Sequence, residues 1–357
     1  MDRRQFLKSG LVGIAVVTAD SALQLPLFLT RQARSAIFTP TVNLTMKPAL
    51  LELVDQRVVF VWAYDDGRGP RTPGPVIFAT EGQTVQVRIT NALSEPHAFV
   101  VPGVVNTGPI APGQTRAISF RAPQAGTHFY LDPLNAPVNR VLGLHGALVV
   151  LPAAGNTPYS IPTPSVQQLF NDLGKPPVFP GQPWTPARTF IWIFNQIDPR
   201  FNAQAQAGQA IDPAVFQQAF LPSYFLINGK SGFFSSFDPD IEPTGFIGQP
   251  ALIRNLNAGL VTHSPHMHGN HVYQLAINGV VQSNVIELDT WSMLPIDRRD
   301  ILLPFVRPPD IPVAAFPPRE EKFPLMYPMH CHTEMSQTSN GGNYPQGLIT
   351  HWEILGP

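Results

Sequence analysis

The chain has 357 residues, of which 40 are proline and 13% are charged, with a formal net charge of −1 and a single cysteine. A near-neutral chain without basic runs is a poor partner for nucleic acid or anionic membrane surfaces, and one cysteine excludes an intrachain disulfide. A proline share about twice the average of ~5% disfavours long helices and suits strands joined by turns.

The chain opens with "MDRRQFLKSGLVGIAVVTADSA", in which Arg3 and Arg4 precede Phe6, Leu7, Lys8 and an apolar run. This reads as a twin-arginine signal within residues 1–36, cleaved near 19–22 or 33–36, and predicts export to the periplasm. Asp20 interrupts the run, which is shorter than the ~20 apolar residues a span needs, so no membrane span is expected in the mature chain. At ~150 residues per domain, what remains suggests two domains. In the first, residues 37–152, strands are expected at "RVVFVWAY", "TVQVRIT", "AISFRA" and "GALVVLP", rich in Val, Ile and Phe and bounded by Gly, Pro and Asn. Residues 153–188 are dense in proline and read as a linker. The second domain, residues 189–357, resumes with a strand at "TFIWIFNQI" and a helical turn at "DPAVFQQAF", capped by Asp212 with Pro213 behind it.

The two halves repeat one another. "EGQTVQVRITNALSEPH" ends at His97 and "IGQPALIRNLNAGLVTH" at His263, each histidine six residues after an asparagine, Asn91 and Asn257. A duplicated, all-β sandwich architecture follows.

Six of the ten histidines fall in two clusters: His263, His266, His268 and His271 in "THSPHMHGNH", and His330 and His332 around the sole cysteine in "MHCHTEM". Side chains alternate along a strand, so His266 and His268 share one face, as do His330 and His332. If the two strands are neighbours, four imidazoles converge, while Cys331 points to the opposite face, where His263 can meet it. Imidazole suits copper, zinc, iron and nickel, and a thiolate with imidazoles in a β-sandwich is the pattern of a blue-copper centre. Structural zinc usually gathers several cysteines, so copper is the expected cofactor. Glu334, close behind the cluster, is a candidate to orient an imidazole or accept a proton.

These motifs resemble those of the multicopper oxidase superfamily, the laccases and copper nitrite reductases. "HSPHMHG" is similar to H-P-x-H-L-H-G, and "HCH" to the start of H-C-H-x-x-x-H-x-x-x-G-M; "FLINGKSGFF", "LIRNLNAG" and "DRRDILLPF" resemble the stretches around them. The resemblance covers about 160 residues of the second half strongly, and the first half moderately. It implies two cupredoxin-like Greek-key β-sandwich domains. By position it makes His263 and Cys331 type 1 copper ligands, His266 a type 2 ligand, and His268, His330 and His332 type 3 ligands, with His97 matching a first-domain ligand. The chain departs from the family at Ser336, where the second type 1 histidine belongs, and lacks the axial methionine. Phe99, Leu131 and Pro133 also stand in place of histidines, which argues against a full trinuclear cluster and against four-electron dioxygen reduction. His128 or Asp132 could substitute as a ligand. Two-domain members assemble as homotrimers with sites between subunits, so His97 would then come from another chain.

The expectation is therefore an exported copper oxidoreductase acting on a small-molecule substrate or a redox partner. The alternatives are a non-catalytic copper-binding or resistance protein, helped by Met267, Met326, Met329 and Met335, and a degenerate cupredoxin scaffold.

Overall fold

The computed structural model describes residues 41–308 and 322–357. The expected signal segment over 1–36, residues 37–40 of the first domain, and most of the charged run at 317–323 lie outside the described residues.

Each half folds as two β-sheets enclosing an apolar core. In the first, one sheet runs in the order 70–71, 58–65, 41–52, 84–91, 115–121, and the other in the order 77–80, 145–151, 126–131, 100–101, 105–106. In the second, a six-stranded sheet has the order 224–227, 189–197, 251–257, 298–303, 272–277, 280–288, and a four-stranded sheet the order 244–245, 349–354, 325–331, 265–267. The strand expected at "TFIWIFNQI" is Thr189–Ile197. Helix Pro213–Ala219 is capped by Asp212, whose carboxylate accepts from the Ala214 and Val215 amides, both at 2.9 Å.

The two sandwiches share a wall. All nine residues of Thr189–Ile197 are buried, because its two faces pack on different domains. Ile191 and Ile193 join Leu256 and Ala258 against Phe129, Leu131, Ala147, Val149 and Leu151 of the first domain. Phe190, Trp192 and Phe194 face the second-domain core with Cys331 and Trp352. A continuous apolar strand is what burial on both faces requires.

Residues 153–188 form more than a tether. Thr163 caps a helix over Pro164–Asp172 by accepting from the Val166 amide. Val166, Leu169, Phe170 and Trp184 then pack with Tyr159 on Leu252, Leu275 and Leu302 of the second domain. The prolines sit around the helix and leave its apolar face intact. Tyr159 also ties this connection to a buried junction at Asp300, which accepts from Tyr159 Oη at 2.8 Å, Thr127 Oγ1 at 2.6 Å and Arg254 at 3.1 Å.

Beneath the four-stranded sheet, Glu242 is 8% exposed with Oε1 unpartnered. Burial, with Glu353 and Asp238 nearby, pushes its carboxyl up to about 7 from 4.5. The folded chain thus keeps this proton while the unfolded chain releases it, and stability present below pH 4.5 drains as pH rises through about 7. Glu242→Gln, which has no proton to lose, is expected to melt higher than the wild type at pH 8, by up to about 2 kcal/mol after allowance for partial hydration. At pH 4 the gap should close. Thermal melts at both pH values check this, and equal gaps at both would exclude the carboxyl as the cause.

Candidate metal centre

Strand Pro265–Met267 pairs antiparallel with Leu325–Cys331 in the register Pro265↔Cys331, His266↔His330 and Met267↔Met329. Directly opposed residues in an antiparallel pair point to the same side, so His266 and His330 project together, with His268 and His332 two positions further on. Ring centroids lie 4.5 Å apart for His266–His268, 4.7 Å for His266–His332, 5.1 Å for His268–His330 and His330–His332, and 5.6 Å for His266–His330. His268 and His332 are exposed, and His266 and His330 half-buried.

The backbone behind this face is anchored by specific contacts. The Trp352 indole N–H donates to the His268 carbonyl at 2.7 Å, and its ring stacks on Tyr327 at 5.0 Å. Gly269, at φ +83°, passes so close to Tyr327 that a Cβ there would collide with the ring. His266 Nδ1 lies 2.9 Å from Thr290 Oγ1, an arrangement that orients an imidazole and leaves Nε2 to face outward. Burial, then the neighbouring imidazoles, lower the pKa of His268; burial is also the first cause for His330, with Glu334 opposing it. Both rings are thereby biased to the neutral form, whose bare nitrogen is the ligating one. Glu334 begins a short 3-10 turn over Glu334–Gln337 and is exposed; it acts on His330 through charge.

Among the described residues no three His, Cys, Asp or Glu side chains form a closed metal-holding group. The spacing nevertheless suits one. Imidazoles bound to a single ion at ~2.0–2.1 Å place their centroids roughly 4.5–5.5 Å apart and adjacent nitrogens roughly 2.8–3.4 Å apart. The His268 and His330 Nε2 atoms are 3.0 Å apart. Two nitrogens already stand as adjacent ligands would, and closure needs ring rotations of the other two.

On the opposite face, Cys331 is fully buried, and its Sγ lies 3.6 Å from His263 Nδ1. The sulfur also accepts from the Ser264 amide at 3.2 Å and the Thr333 amide at 3.4 Å. Phe194 and Phe225 stand edge-on to His263, which burial pushes down to about 3. The remaining groups of a blue centre are elsewhere. Ser336 turns its hydroxyl to the Thr333 carbonyl at 2.7 Å, and Met335 is 42% exposed. The sequence reading of two opposed faces therefore describes the geometry, with a thiol and one imidazole on the inner side.

His97 stands apart from both. It is buried in the first domain, its Nδ1 2.6 Å from Asp132 Oδ2, with Trp62 edge-on at 5.1 Å. Asn139 donates to the same carboxylate oxygen at 2.8 Å. No ring contact or hydrogen bond joins His97 to the imidazole cluster among the described residues. Asp132, weighed as a substitute ligand, is the partner of His97, and His128 Nε2 bonds the Gln124 carbonyl at 2.9 Å. Sequence reasoning missed Gln196, whose Nε2 lies 2.6 Å from His263 Nε2. The signal was available: two amides, Asn195 and Gln196, interrupt the apolar run of the strand just before Ile197, and buried amides are almost always partnered.

Residues 60–155 match the multicopper oxidase family. A 98-residue stretch is 33% identical to an L-ascorbate oxidase of Brassica rapa subsp. pekinensis, covering 23% of this chain and 17% of that protein. The solved blue copper oxidase of Nitrosomonas europaea superposes with a TM-score of 0.65 at 22% identity, over 88% of this chain and 85% of that one. This is the fold of the multicopper oxidases. A copper nitrite reductase of Nitrosomonas europaea has it too, with a TM-score of 0.57 at 17% identity over 88% and 93% of the two chains. The multicopper oxidase match falls on the first domain, the half that holds Phe99, Leu131 and Pro133. Phe99 and Leu131 are buried, and Phe99 belongs to the first-domain core, so both serve packing there.

Proposed function

We propose that this chain is an exported copper protein that works as an oxidoreductase at one imidazole-bound site, formed by His266, His268, His330 and His332. The observation that carries the reading is the 3.0 Å separation of the His268 and His330 Nε2 atoms within a ring cluster at ligand spacing. Bound copper would supply one-electron exchange at a site open to small molecules. The chain's own residues set its terms. Thr290 orients the His266 ring and Trp352 anchors the His268 main chain, exposed His268 and His332 leave an approach for a substrate or redox partner, and Glu334 adds negative charge beside His330. With His97 held by Asp132, and Phe99, Leu131 and Pro133 lacking donors, four-electron reduction of dioxygen is not part of the proposal.

A copper-holding role without turnover is the second reading. It is favoured by two exposed thioethers, Met326 and Met335 at 44% and 42% exposure, which suit Cu(I).

Loading the folded chain with Cu(II), removing excess metal, and recording metal content with electron paramagnetic resonance tests both readings. About one tightly held copper per chain with nitrogen hyperfine structure is expected; a copper content near zero would refute both. Oxidation of small phenols or reduction of nitrite by the loaded chain would then separate the first from the second.

A further inference from the structure

The inner face of the same strand poses a separate question: what a buried thiol and a buried imidazole do in contact with each other. The answer lies in the amide of Gln196, which is 1% exposed. Its Oε1 accepts from two backbone donors, the Leu260 amide at 2.7 Å and the Val261 amide at 3.1 Å. A flipped amide would set its NH2 against both of those N–H groups, so the orientation is fixed by the main chain. Gly259 lines the same cradle, where a Cβ would collide with the amide.

With Oε1 so held, Gln196 directs an N–H at His263 Nε2, 2.6 Å away. That nitrogen must therefore be the bare one. A neutral imidazole has a single N–H, which then lies on Nδ1, facing Cys331 Sγ at 3.6 Å. We infer that Gln196 is a positioning residue that holds His263 in its Nδ1–H tautomer, making His263 and Cys331 a hydrogen-bonded imidazole–thiol pair that does not take up copper. A metal at this site would need the Nδ1 lone pair. The proton would then sit on Nε2 and meet the Gln196 NH2 donor to donor, or the amide would turn and strand the Leu260 and Val261 N–H groups in a buried pocket. This pair lies on the opposite face from the proposed copper site, so either reading can fail without the other.

The test uses the full chain, metal-free and labelled with 15N-histidine, in a long-range 1H–15N correlation experiment, with the His263 ring assigned through His263→Asn. The expected result is a protonated Nδ1 and a bare Nε2; an Nε2–H ring would overturn the inference. Gln196→Glu should move the His263 proton to Nε2, since its carboxylate can accept from Leu260, Val261 and His263 together. A folded variant with an unchanged tautomer would remove Gln196 from its role, whereas if the variant fails to fold, the wild-type spectrum decides. Adding Cu(II) to the wild type should give no intense thiolate-to-copper absorption. A band that appears and is lost in Cys331→Ser would refute the metal-free assignment directly.

Discussion

Replacing Asp300 by alanine is expected to cost about 3–5 kcal/mol, the range for leaving one member of a buried ion pair without its partner. Arg254 is fully buried and lies opposite Asp300 in the antiparallel pairing of Ala251–Asn257 with Arg298–Leu303. Its guanidinium donates to Asp300 Oδ2 at 3.1 Å and to Thr127 Oγ1 at 2.9 Å. The Asp300 carboxylate also accepts from Tyr159 and Thr127, so one side chain joins the first domain, the connection and the second domain. Its removal strands a charge, a phenol and a hydroxyl at once. Urea denaturation should show the midpoint falling at a similar slope if the domains still unfold together. A loss below about 1 kcal/mol would mean that water reaches Arg254 and compensates it.

Removing His268 and His330 together by alanine substitution is expected to weaken copper binding by at least about 100-fold, since loss of mere outer partners of a metal ligand already costs ~10–100-fold. Stability should change by less than about 1 kcal/mol, because one ring is exposed and the other half-buried and neither fills the core. The contrast separates a metal site from a structural cluster: a fold-defining pair would lower the melting temperature of the metal-free chain, and a ligand pair would lower only the increment that copper adds. Competition titration against a copper chelator, with melts in parallel, reads both quantities. Unchanged affinity would place the copper elsewhere on the chain.

Much of this architecture was legible in the residues. Period-two alternation put His266 with His268 and His330 with His332, and the structure supplied what alternation cannot, that the two short strands are adjacent and opposed residue for residue. The strand over 189–197 was visible because eight apolar and amide residues run without a break after Thr189. Other features were hidden for physical reasons. Proline density in 153–188 signalled an extended connection, yet the run between Pro164 and Pro176 has no proline, and its amphipathic helix found a hydrophobic seat on the second domain. His97 read as a candidate ligand from its position in a repeat, but which group faces its Nδ1 depends on Asp132 being brought back by chain topology. Gln196 lies 67 residues from His263, and only the fold shows which nitrogen it addresses.

The register of Pro265–Met267 against Leu325–Cys331 also bears on folding fidelity. A strand of three residues has few ladder bonds to hold its alignment, although the His268 amide donating to the Pro328 carbonyl at 3.0 Å and the His332 amide donating to the Ser264 carbonyl at 2.8 Å extend the pairing. Side-chain segregation does the rest. A slip by one residue would turn Met267 or Met329 and Cys331 out to solvent and press imidazoles into the apolar core. The alternation that gathers the histidines outside thus also penalises mispaired strands, and a chain that reaches the native alignment has its thiol sealed inside, away from solvent.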